Sequence, residues 1–214
     1  MTPIVQTTHC PAMTELKAVA AQESCWRFFG NLYYDTTNSI NKQLEVLDDT
    51  TRELTLRFQQ KFSEYFLDHC NWNVCPSSNW YVYAKDSLHP LQYYLLGLNA
   101  HINGDMWQAL TDCFSEDELE QYQQALLQFQ SAITTVYDQY YSLSLTGNIF
   151  LRTIHFFSMG LSRKIGNRYI YKCRDLQVKL ALLYFRDKNK FEQKLRKAKR
   201  RKRLTDHYIL LLFK

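Results

Sequence analysis

Leu54, Phe58, Phe62, Tyr65 and Phe66 recur at spacings of three and four, the period that lines apolar side chains along one face of an α-helix. The same rhythm runs along nearly the whole chain, and it limits the accessible folds more than any other feature. Interruptions are few, with 6 Gly and 4 Pro in 214 residues. A β-sandwich or barrel needs frequent turn signals, so this sparseness disfavours an all-β architecture. The pattern predicts an all-α, single-domain bundle of about seven helices, long enough to bury one sizeable core.

Local chemistry sets the expected boundaries. A first helix is expected from about Met13, a second over roughly Glu23 to Leu44 and a third over roughly Thr50 to Asn71. The stretch 71–87, "NWNVCPSSNWYVYAKDS", reads as a loop in which "WYVY" forms a short extended piece. Pro90 suits the first turn of the next helix, where its missing N–H costs nothing. Ser115 and Glu118 have the spacing of a capping box and open a helix expected to reach about Tyr141. "LTGN" and then Gly166 with Asn167 are read as breaks on either side of a helix from Ile149 to Ile165. A last long helix is expected from near Tyr169. The organisation expected is an N-terminal arm (1–12), a helical domain (13–185) and a basic C-terminal helix end and tail (186–214).

The helix after Pro90 carries "LLGLNAHINGDMWQAL" at 95–110. Its apolar residues fill most sectors, which is the pattern of a buried central helix. Yet Asn99, His101, Asn103 and Asp105 sit in its middle. At about 100° per residue, His101 and Asp105 share one face, and Asn99 and Asn103 share another roughly 160° away. Buried polar groups left unbonded cost about 1–3 kcal/mol each, so each pair demands partners from a neighbour. Asp105 can accept from His101 and fix its tautomer. Asn99 and Asn103 suit exposed backbone groups of a loop. Gly97 and Gly104 leave bare patches where a backbone or a ligand can come close.

This stretch resembles the signature of a bacterial domain family of unknown function, whose members carry a helix reading L-L-G-x-N-A-H-I-N-x-D-L. The matching residues are Leu95, Leu96, Gly97, Asn99, Ala100, His101, Ile102, Asn103 and Asp105, with Met106 where Leu is usual. Upstream, Phe29, Tyr33 and "RFQQKFSEYFLD" are similar to the same family. The resemblance covers the region from Ala12 to Ser115 well and implies an α-helical fold and no activity.

A weaker, local similarity links His101-x-x-x-Asp105 to the H-x-x-x-D metal pair of zinc-dependent phospholipase C and single-strand nuclease proteins. It implies a divalent metal such as zinc on His101 and Asp105, activating water for phosphoester hydrolysis. Asp68, His69 and His89 are the candidates to complete such a pocket. The N-terminal Trp ligand and the second His-x-x-x-Glu of those enzymes have no counterpart in this sequence. Three readings therefore stand for His101 and Asp105: a buried structural pair, a polar pocket for a small ligand, and a metal site. No catalytic residue is assigned, and G-x-S-x-G, P-loop and dinucleotide fingerprints are missing.

Charge is uneven. Residues 186–203 hold eleven Lys and Arg against Asp187 and Glu192, while the rest of the chain has 15 bases and 19 acids. Lys197, Lys199, Arg200, Arg201, Lys202 and Arg203 are candidates to bind phosphates of nucleic acid or anionic lipid. The alternative is a solvated helix end, where cations favour the dipole. The 6 Cys form no C-x-x-C pair. With no signal peptide or run of about 18 apolar residues, a soluble cytoplasmic protein with free thiols is expected.

Overall fold

The computed structural model describes residues 10–70, 75–85, 87–146 and 161–211. These residues are helical with no strand, as the apolar period predicts. Helix α1 (Met13–Ala20) packs on α2 (Trp26–Leu44), followed by α3 (Asp49–Cys70). Close approach of α1 and α2 depends on Gly30, where a Cβ would stand 3.1 Å from the Val19 side chain. The motif helix is one continuous rod: α4 (Pro90–Ala100), a π-helical turn (His101–Asp105) and α5 (Met106–Cys113). Then come α6 (Glu116–Gln128), α7 (Gln130–Thr146), α8 (Leu161–Arg186) and α9 (Lys188–Leu211).

Start signals act where the sequence puts them. Ser115 and Glu118 form the capping box, with Ser115 N donating to Glu118 Oε2 at 2.9 Å and Glu118 N to Ser115 Oγ at 3.3 Å. Pro90 is the first residue of α4, and His89 caps it by accepting from Leu91 N through Nδ1 at 3.2 Å.

Several boundaries differ from the sequence reading. "WYVY" is a run of turns that buries Trp80 and Tyr83. The Tyr83 hydroxyl donates to Cys25 O at 2.8 Å, tying that loop to the start of α2. Gly166 interrupts nothing: it lies inside α8, where a side chain would strike the ring of Tyr137. The helix expected to run to Tyr141 divides at Phe129 into α6 and α7. Most of the helix expected from Ile149 lies outside the described residues.

Rod Pro90–Cys113 is central. It contacts α2, α3, α7, α8 and α9. The C-terminal basic segment packs as α9 through Phe191, Ala198, Lys202, Asp206 and Ile209, its buried positions. All six cysteines are free thiols. Among the described residues no helix is long and apolar enough to cross a membrane.

Candidate ligand cavity beneath the motif helix

Where α4 meets α5 the backbone widens. Met106 N–H bonds to His101 O, an i+5 contact, so five residues form a π turn. Such turns are rare and frequent at functional sites. Both polar pairs survive the altered twist: His101 Nδ1 lies 3.3 Å from Asp105 Oδ2, and Asn103 Nδ2 donates to Asn99 Oδ1 at 2.8 Å.

Asp105 is an acceptor hub. It receives Trp80 Nε1 at 2.8 Å and Asn79 Nδ2 at 3.3 Å, besides His101. Gly104 admits Asn79, since a Cβ there would lie 2.5 Å from the Asn79 amide. Gly97 likewise seats the ring of Phe29. Both bare patches thus receive side chains, where the sequence suggested a backbone or a ligand.

On the other face, Asn99 Nδ2 donates to Lys202 O at 3.0 Å and to Asp206 Oδ1 at 2.8 Å. Its partner is a helix backbone, where a loop was expected. Lys202 Nζ bonds Asp206 Oδ2 at 2.8 Å and also the carbonyl of Asn79. Asn79 and Lys202 therefore join the two pairs into one network running from His101 through Asp105 to Asn99 and Asn103.

Lys202 is thereby withdrawn from the anion-binding set proposed from sequence. It is buried with its charge paired inside the fold, whereas Lys197, Lys199, Arg200, Arg201 and Arg203 are exposed. A metal fits His101 and Asp105 poorly. The two bond each other, and Asp105 already accepts from Trp80 and Asn79. Asp68 is exposed, His69 lies against Trp80 and His89 is occupied as a helix cap. Among the described residues no three His, Cys, Asp or Glu side chains converge on a metal position.

His101 sits in an aromatic box. Phe62 stacks on it with ring centroids 3.5 Å apart, and Tyr33 meets it edge-on at 4.6 Å. Burial pushes its pKa below the ordinary imidazole value, although Asp105 pulls the other way. In the neutral ring Nδ1–H points to Asp105, which leaves Nε2 as a lone-pair acceptor. That Nε2 has no partner.

His101 also lines a cavity of about 80 Å³ whose wall is drawn from α2, α3, the rod, α6, α7 and α8. Its wall is mostly apolar, with Leu32, Phe58, Leu98, Ile102, Met106 and Leu126 among the lining residues. Three further polar side chains stand in it. Gln59 is buried with neither amide atom bonded, and the Tyr122 hydroxyl, beside Thr55, lacks a partner in hydrogen-bond geometry. Arg174 is the third. It donates to Gln130 Oε1 at 2.6 Å and to the carbonyl of Leu126.

Sequence reasoning missed Gln59, Tyr122 and Arg174. The signal for Gln59 was a polar row, Thr55, Gln59 and Ser63, running beside the Phe58–Phe62 stripe at spacing four. Arg174 carried no signal among the cations of α8.

An all-α bundle with an internal, polar-studded cavity under a π turn is the class that fold and site define. The chain belongs to DUF5995, a family of unknown function, which matches residues 10–212. That match takes in α9, so the basic segment lies within the family region, whereas the sequence resemblance extended well only to Ser115. No curated protein and no solved structure matches the chain.

Proposed function

We propose that the protein binds a small, mainly apolar molecule in the cavity beneath the π turn. The observation that carries this reading is the set of unpartnered polar atoms in an apolar wall: Gln59 Nε2 and Oε1, Tyr122 Oη and His101 Nε2. Left unmet, each costs about 1–3 kcal/mol. The wall has the make-up of a small-molecule site, apolar with a few converging polar groups, and its volume of about 80 Å³ limits the occupant to a few heavy atoms. A ligand carrying a matching donor and acceptor meets these groups. Hydrolytic chemistry through a metal is not part of this reading. The six free thiols suit a reducing compartment such as the cytoplasm.

The test uses xenon, an apolar probe small enough for this cavity, followed by its NMR shift. A saturable one-to-one shift is expected with the native protein, and its loss is expected in Leu98→Phe, which places a ring in the cavity. A shift of equal size in a folded Leu98→Phe protein would put the xenon elsewhere and defeat the proposal.

A second reading rests on α9, where Lys197, Lys199, Arg200, Arg201 and Arg203 are exposed and make no ion pair among the described residues. We propose weak, sequence-independent contact with nucleic acid or anionic lipid there. Replacing these five by Gln should abolish salt-sensitive retention on heparin while leaving the helix folded. Retention that persists counts against it.

A further inference from the structure

Granted the ligand cavity proposed above, we infer that its occupant is an amphipathic monocarboxylate, with the carboxylate held by Arg174 and the apolar body against the rod. Arg174 is buried at 5% exposure and makes no salt bridge among the described residues. Of the chain's 21 acidic residues, all but Asp86 lie among those described. A buried guanidinium without a counter-charge is costly, and proteins normally pair it. Its two hydrogen bonds go to neutral oxygens, of Gln130 and of Leu126.

Chemistry on the α6–α8 side favours an anion. Tyr122 and Leu126 lie one helical turn apart on α6 and both line the cavity with Arg174. The Tyr122 hydroxyl can donate beside the guanidinium, and the Gln59 amide offers a second donor. His101 offers the reverse: Nε2 is an acceptor, so a carboxylate is unwelcome against it. One net positive charge matches a monoanion, and a phosphate dianion would bring a charge that no second cation among the described lining residues balances. A guanidinium also suits the planar fork of a carboxylate. Burial lowers its pKa to about 10, which leaves it cationic at neutral pH.

The experiment is isothermal calorimetry of the intact protein with three probes sharing one short tail: propanoate, propanol and propyl phosphate. Propanoate should bind at least tenfold more tightly than either of the others. Arg174→Met should remove that preference while propanol still binds. Should Arg174→Met fail to fold, Tyr122→Phe replaces it, with propanoate weakened several-fold and propanol unchanged. Propanol binding as tightly as propanoate overturns the assignment of Arg174 and leaves the cavity reading standing. Propyl phosphate binding most tightly likewise overturns the monocarboxylate. If neither propanoate nor propanol binds, the cavity reading itself fails.

Discussion

Two polar assemblies flank His101, and they are built to opposite rules. On one side, Asp105, Asn79, Trp80, Lys202, Asp206, Asn99 and Asn103 form a connected network of bonded polar groups. On the other, Gln59 and Tyr122 stand in an apolar wall with their polar atoms unmet, beside an Arg174 that has no ion-pair partner among the described residues. His101 belongs to both, with Nδ1 in the network and Nε2 in the cavity. A satisfied buried group holds the fold together, whereas an unsatisfied one costs stability. On the proposed reading the polar residues of the motif helix are chiefly structural, and the groups offered to a ligand lie on α3, α6 and α8.

Breaking the network should be expensive. Asp105→Ala strands Trp80 Nε1, the Asn79 amide and His101 Nδ1 at once, and a loss of about 4 kcal/mol is expected in urea unfolding. Asp206→Ala leaves the Lys202 ammonium buried without its partner and should cost about 3 kcal/mol. Replacing the pair together, Lys202→Met with Asp206→Leu, should recover most of that loss, because both charges leave the interior.

A smaller effect comes with pH. Burial holds the folded His101 pKa below its ordinary value, with Asp105 opposing and His69 adding to the shift. As pH falls, the unfolded chain takes up the proton first, near pH 6.5. Stability from this neutral histidine is thus complete above that value and declines below it. His69 and His89 shift in the same direction. The urea midpoint should drop between about pH 7.5 and about pH 5, and drop less in His101→Gln.

Much of the network was legible in the sequence because its pairs are local. His101 with Asp105 and Asn99 with Asn103 are four residues apart, close enough that even a π turn keeps each pair in contact. Their outer partners were hidden by distance along the chain. Asn79 looked like a loop residue, and Lys202 was one cation in a basic run. The apolar stripe Phe191, Leu195 and Ala198 extended by four does reach Lys202, and that register was the one clue to its burial. The π turn itself left no trace, since the apolar period reads the same through it. The cavity was illegible because five other helices and the rod share its wall, and no single helix records a void between helices.

The direct test is the stability of Gln59→Met, which keeps the side-chain volume and removes two unmet polar atoms. If Gln59 serves a ligand, unfolding should cost about 1 kcal/mol more than in the native protein, while propanoate binding weakens. A loss of about 1 kcal/mol or more would mean that Gln59 holds the fold as Asp105 does, and would contradict the division between network and cavity.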